Sequence, residues 1–228
     1  MGTTEELARP AGQGLRERLK AAIPEWLLVR DLGPAAGRTL LFTFDDGPDR
    51  QVTPEVLARL QAHGIRGVFF VIGAHVDAAP ELLVESHRRG HVIGNHTYSH
   101  RAPDPWFVEY FRDVKRCQDT VRRHLGEAPR LFRPPKGHLS GASLTIPKML
   151  GLRTMNWSLN VRDWECESPA DARRAAERLV REARDGNIVL LHDNRPLLVP
   201  LLDFALPRLV AEGFDLRAAP AGVVPASR

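Results

Sequence analysis

From Thr39 onward, short apolar runs alternate with longer stretches in which apolar residues return every three or four positions. The runs "TLLFTF" (39–44), "GVFFVIG" (67–73), "HVIGNH" (91–96), "RLFRPP" (130–135), "LRTMNWSL" (152–159) and "NIVLLHD" (187–193) read as strands. Between them "TPEVLARLQAHG" (53–64), "PELLVESHRRG" (80–90), "DPWFVEYFRDVKRCQDTVRRHLG" (104–126), "SLTIPKMLG" (143–151) and "PADARRAAERLVREARDG" (169–186) read as helices. A further helix, "LLVPLLDFALPRLVAEG" (197–213), and "FDLRAA" (214–219) close the pattern. Thr53 is placed to cap the first helix, with Pro54 at its first position. About seven strand–helix alternations predict an α/β fold, a parallel sheet covered by helices. The uniformly apolar "VFFVI" and "IVLL" suit strands buried on both faces.

Polar residues interrupt this pattern at the strand ends: Asp45 and Asp46, His96, Arg133, Asp163 and His192. The stretch "LLFTFDDGPDR" poses the sharpest question, because two adjacent anions at the tip of a buried strand repel each other and resist burial. Asp, Gly and Pro are turn formers, and one turn accounts for one acidic pair. It does not account for several polar clusters at the same edge, which is where barrels of alternating strands and helices carry their active sites.

Residues 1–38 read as an N-terminal helix and lead-in, and 39–220 as one domain, in keeping with 228 residues. Hydrophobic residues at 43% and charged residues at 26% are those of a globular protein, and no apolar run reaches the length that spans a bilayer. With Glu5 and Glu6 and no apolar core, the N-terminus is not a secretory signal as written. A cytoplasmic location is expected, the alternative being an exported form whose leader has been removed. Cys117 and Cys166 form no short-range metal pattern and are expected as free thiols. The net charge of +4 raises the question of nucleic acid, but arginines scattered among acids, as in "RDVKRCQDTVRRHLGE", form a solvated helix face. No nucleic-acid partner is expected.

His96 and His100 in "NHTYSH" are four apart, a spacing that one helical turn brings onto one face and that suits two ligands of a divalent metal. His87 and His91 repeat the spacing, but Gly90 ends a helix between them and His91 opens a buried strand, so they are read as structural. Arg133, ahead of two stiffening prolines, can pin a carboxylate; His192 with Asp163 as partner becomes a candidate acid.

Taken in order, "TFDDGP", "HTYSH", "RPP", "DW" and "LLH" resemble the five motifs of the polysaccharide deacetylase (NodB homology) family, carbohydrate esterase family 4, over Thr43–His192. The resemblance implies a distorted (β/α) barrel of about seven strands and the removal of N-acetyl groups from N-acetylglucosamine-containing poly- or oligosaccharides of chitin or peptidoglycan type. It implies Asp46, His96 and His100 as ligands of one divalent ion, Zn²⁺ foremost with Co²⁺ or Ni²⁺ as alternatives. Asp45 would be the base, held by Arg133; His192, oriented by Asp163, would be the acid for the leaving amine. Leu190 and Trp164 would wall the acetyl pocket, and the N–H after Pro135, that of Lys136, would supply an oxyanion donor. Three features depart from the family pattern: Lys136 stands where an aromatic is frequent, Asn160 where an acid is frequent, and "GHLSGAS" offers no aromatic platform. The alternatives are a related hydrolase of a non-sugar C–N bond and a sugar-binding relative without catalysis.

Overall fold

Alternate residues of a strand face opposite sides of its sheet, and this protein uses the two sides differently. The computed structural model describes residues 23–24, 26–33, 36–103 and 107–217. Among them one sheet of eight strands runs parallel throughout: β1 Leu28–Val29, β2 Leu41–Asp45, β3 Val68–Val71, β4 Val92–Asn95, β5 Leu131–Phe132, β6 Arg153–Met155, β7 Leu159–Asn160 and β8 Ile188–His192. Their spatial order is β1-β6-β5-β4-β3-β2-β8-β7. The helices are α1 Val52–Ala62, α2 Gly73–Ala78, α3 Pro80–Arg88, α4 Phe107–Leu125, α5 Gly141–Met149, α6 Pro169–Glu182 and α7 Leu198–Ala211.

Val29, Leu41, Val68, Phe70, Leu131, Met155 and Ile188 meet in a cluster on the concave side of the curled sheet. Their neighbours Phe42, Phe44, Phe69, Val71, Ile93, Val189 and Leu191 face outward into a larger core with α1, α6 and α7. Phe132 packs on Tyr110 and Val114 of α4 and on Ile146 of α5. The alternation sets up the site, because the inward rows Leu41–Thr43–Asp45, Ile188–Leu190–His192 and Leu131–Arg133 all end in polar groups at one mouth.

The α/β half-barrel agrees with the pattern read from the chain, with local corrections. "LRTMNWSL" is two strands, β6 and β7, because residues 156–158 leave the ladder between them. Leu28–Val29, inside the stretch read as lead-in, pairs in parallel with β6, so the sheet starts upstream of Thr39. The N-terminal helix expected there falls mostly outside the described residues. Helix α1 begins at Val52; the Asp49 carboxylate accepts from the N–H groups of Gln51 and Val52, and Thr53 lies inside the first turn rather than at the cap. The terminal stretch 214–219 gives only an isolated bridge of Asp215 with Thr39 in its described part. Helix α2 and its His75 were not legible as an element.

His87 and His91 part company as expected. His91 is 4% exposed, its Nδ1 accepts from Gly67 N–H at 3.1 Å, and its ring meets Phe69 edge-on at 5.0 Å. Burial first, then the charges of Arg89 and Arg66, push its pKa down to about 4. Unfolded, the ring titrates near ~6.5. Between these values the unfolded chain binds a proton that the folded chain refuses, so this contribution is present above about 6.5 and is lost as pH falls toward 4, on the order of 3 kcal/mol in all. His91→Gln keeps an acceptor for Gly67 and should flatten the fall of the urea midpoint between pH 7 and pH 4.5. Equal falls in both proteins would clear His91 of the effect.

Candidate active site

β2 delivers Asp45 at its last position, 3% exposed, and Asp46 follows with a left-handed φ of 73°. That backbone turn sends the two carboxylates to different partners. Asp45 Oδ1 accepts from Arg133 Nη1 at 2.7 Å, while Asp46 Oδ1 faces His100 Nε2 at 3.3 Å and His96 Nε2 at 3.5 Å.

Among the described residues, Arg133 is the largest fully buried side chain. Its Nη1 also donates to Thr43 Oγ1 at 2.8 Å, Nε to the Met155 carbonyl at 3.2 Å, and Nη2 to the Asn156 carbonyl at 2.9 Å. Its guanidinium lies 4.2 Å from the centre of the Phe70 ring. Burial drags its pKa below the usual arginine value, and the adjacent Asp45 charge resists that drift. Thr43 completes the chain by donating to the Val189 carbonyl at 2.7 Å.

His96 leaves the end of β4, and its Nδ1 donates to the Arg133 carbonyl at 2.8 Å. A carbonyl can only accept, so the proton sits on Nδ1 and the Nε2 lone pair is turned toward Asp46. Burial, against the opposing pull of Asp46, lowers the ring's pKa to about 3, which keeps it neutral, the form that binds a cation. The helical turn expected between His96 and His100 is absent. Residues 96–100 form a loop in which Thr97 and His100 are left-handed (φ 67° and 56°), yet the two rings still meet at 5.1 Å. One ligand atom from each of Asp46, His96 and His100 lies within 4.8 Å of the others. Asp46 Oδ1 is buried without a hydrogen-bond partner. An orphaned anionic oxygen facing two imidazole nitrogens fits a divalent cation, in the Asp-His-His donor set that suits zinc.

Across the mouth, the Asp163 carboxylate accepts twice from His192: Oδ1 from ring Nδ1 at 3.0 Å and Oδ2 from the backbone N–H at 2.8 Å. The ring's Nε2 is thereby left for other work. Burial alone would lower the His192 pKa; the Asp163 hydrogen bond and charge, with Asp45 and Asp46 behind them, outweigh it and hold the ring above its ordinary value. Trp164 packs against His192 at 77°, 5.0 Å between ring centres. Leu190, 2% exposed, lies two residues below His192 on the same inward row, so the expected pocket residues adjoin the His192 ring. Pro135 opens a short 3₁₀ turn that places Lys136 at φ 57°. The turn is closed by Gly137 N–H on Pro134 and His138 N–H on Pro135, bonds in which the Lys136 N–H takes no part. Asn160 accepts from the Arg162 N–H at 2.8 Å and thus shapes the loop that carries Asp163.

Three residues lie around the twin aspartates whose place there was not read from the chain: Thr53, expected only as a helix cap, His75 and Asp193. Asp193, 1% exposed, has its pKa pushed up to about 7 by burial and by Asp46 and Asp45, while Thr53 opposes the rise. The only sequence signal was an acid directly after the strand-end histidine.

Relatives place this geometry. The polysaccharide deacetylase family model matches residues 33–155. A chitooligosaccharide deacetylase of Bradyrhizobium sp. is 33% identical over 223 residues, covering 87% of this chain and 97% of that protein. The peptidoglycan-N-acetylglucosamine deacetylase PgdA of Listeria monocytogenes is 29% identical over 198 residues, which are 86% of this chain and 41% of PgdA, so the chain spans less than half of that relative. The crystal structure of the Bc1960 peptidoglycan N-acetylglucosamine deacetylase superposes with a TM-score of 0.79 at 26% identity, covering 90% of this chain and 96% of that one. The sheet, the five motifs in order and these likenesses together show that the chain belongs to the polysaccharide deacetylase family, the NodB-homology carbohydrate esterases of family 4.

Proposed function

We propose that this protein is a metal-dependent hydrolase that removes the acetyl group from N-acetylglucosamine units of a chitin- or peptidoglycan-type saccharide. The observation that carries the reading is Asp46 Oδ1, buried, without a hydrogen bond, and facing both imidazoles. The names of the chitooligosaccharide and peptidoglycan deacetylases support the substrate class.

Asp46, His96 and His100 would hold the ion, Zn²⁺ by donor set, with Co²⁺ or Ni²⁺ as alternatives. Bound there, a divalent ion supplies a Lewis acid that polarises the amide carbonyl and eases deprotonation of water. Arg133 fixes Asp45 Oδ1, leaving Oδ2 toward the trio, 3.7 Å from His96 Nε2, to take the proton of the attacking water. The Lys136 N–H, uncommitted in its turn, donates to the oxyanion as the carbonyl carbon becomes tetrahedral. His192, kept protonated by Asp163, gives its Nε2 proton to the departing glucosamine nitrogen, which is a poor leaving group as an anion. Leu190 and Trp164 wall the space for the acetyl methyl beside that acid.

The twin aspartates should separate on substitution. Asp45→Asn should retain cobalt or zinc stoichiometrically and lose at least about a hundredfold in turnover, the scale of a missing general base. Asp46→Asn should lose the ion itself, measured by metal analysis after dialysis. Equal metal loss in both proteins would dismiss the division of roles.

The acid side is tested by pH. His192 has a raised pKa, so the active protonated form persists below that value and activity falls as pH climbs through it. Asp163→Asn removes the anion that stabilises the charged ring, and the alkaline limb of the kcat profile should move to lower pH while the acid limb stays. Movement of the acid limb instead would assign Asp163 to the base.

A further inference from the structure

The turn Asp45–Gly47 carries both the base and a metal ligand, and three side chains outside the five motifs grip it. From α2, His75 Nδ1 lies 2.7 Å from the Asp46 carbonyl, so the ring donates there. From α1, Thr53, fully buried, accepts from the Asp49 N–H at 2.8 Å, and its hydroxyl donates to Asp193 Oδ2 at 2.6 Å. From the end of β8, the Asp193 N–H donates to the Asp45 carbonyl at 3.2 Å. The Asp193 carboxyl group lies directly on Gly47: a Cβ there would meet its Oδ2 at 2.2 Å and Oδ1 at 2.4 Å. Asp193 Oδ1 has no hydrogen-bond partner. The Ile72 N–H adds a bond to the Gly47 carbonyl at 3.0 Å.

For stability alone this is a poor arrangement. A third carboxyl group is packed beside two others, and Asp46 is held left-handed, a conformation that strains a non-glycine residue. Strain of this kind persists where the surroundings over-determine it, and here His75 holds the Asp46 carbonyl while Asp193 and the Ile72 N–H hold Gly47 next to it.

We propose that His75, Thr53 and Asp193 are positioning residues for the metal site: together they lock the Asp45–Gly47 turn in its left-handed form, so that Asp46 is aimed at the histidine pair while Asp45 stays on Arg133. His75 acts on the backbone of the ligand residue, and the Thr53–Asp193 pair clamps the glycine behind it. Gly47 is glycine because the clamp occupies the place of its side chain. The proposal rests on the cation reading of the trio.

The test is calorimetric titration of Co²⁺ into the metal-free full chain, with His100→Ala as reference and thermal unfolding measured with and without Co²⁺. His75→Leu removes the donor, whereas His75→Asn keeps one near the Nδ1 position; Thr53→Val removes the hydroxyl in the same shape, whereas Thr53→Ser keeps it. His75→Leu and Thr53→Val should each weaken Co²⁺ binding by about tenfold or more, the usual effect of losing an outer partner of a metal ligand. Each should shrink the rise in Tm that Co²⁺ causes and lower kcat more than it alters KM, and the conservative variants should recover most of the affinity. Wild-type affinity in His75→Leu and Thr53→Val, with His100→Ala impaired, overturns the proposal and leaves the metal site standing. So does a Tm deficit that is the same with and without Co²⁺, since that marks a role in the fold only. If His100→Ala also binds Co²⁺ like the wild type, the cation reading falls and the proposal with it. His75, half-buried on a short helix, supplies the deciding pair should Thr53→Val fail to fold.

Discussion

A guanidinium with no solvent exposure, bonded to one carboxylate, sets the terms for everything at the mouth of this half-barrel. Removing a charge from water costs several kcal/mol even after relaxation, and a buried pair repays that only with good geometry and satisfied donors. Arg133 meets the condition by reaching four strands' worth of structure: Asp45 and Thr43 on β2, the carbonyls of Met155 and Asn156 at the end of β6, the face of Phe70 on β3, and, through its own carbonyl, His96 after β4. A hydrophobic side chain of similar volume would hold the inner core more cheaply. The pair therefore speaks for chemistry rather than stability. It also fixes the neighbouring problem: once Arg133 is committed to Asp45, no lysine or arginine among the described residues pairs with Asp46, whose partners are the imidazoles of His96 and His100, the first of them held neutral by burial. A cation from outside, as in the proposed function, would supply the missing charge.

Backbone strain is distributed by the same logic. Among the described residues, the non-glycines with left-handed backbone are Asp46, Thr97, His100, Lys136 and Arg162. All follow the C-terminal ends of strands: β2 for Asp46, β4 for Thr97 and His100, β5 for Lys136 and β7 for Arg162. Each such residue costs on the order of 1 kcal/mol and sits within a few positions of a group that faces the mouth. The apolar rows below, packed on both sides of the sheet, supply the rigidity that lets these loops stay where they are.

What the chain disclosed follows from the range over which each signal acts. The continuous apolar runs of β2, β3 and β8 mark buried strands, so their tips Asp45 and His192 were legible as polar groups at one edge of the sheet. The pairing of His96 with His100 was legible from spacing, but the reason was not: their rings meet through two left-handed residues rather than a helical turn. Two-residue strands such as β1 and β7 carry no period at all and exist through their partners β6 and β8. Thr53 looked like a cap because its neighbours are helical, whereas its partner Asp193 is 140 residues away. His75 is one histidine on a six-residue helix, and the carbonyl it serves is 29 residues upstream. Contacts of that separation leave no local trace.

The adjacency of β2 and β8 brings the proposed base and acid together as register partners, Asp45 opposite His192. This has an electrostatic consequence for the acid. Its pKa is raised, against burial, by a direct bond to Asp163 and by the more remote charges of Asp45 and Asp46. Those two anions are the ones that Arg133 and a bound cation would offset, so their support for the imidazolium fades in the loaded site. The Asp163 contribution does not fade: its carboxylate is 1% exposed in its side chain and holds both the ring and the backbone of His192. A hydrogen-bonded anion on the ring's Nδ1 is what would keep the proposed acid protonated, and the Asn160-shaped loop after β7 delivers it.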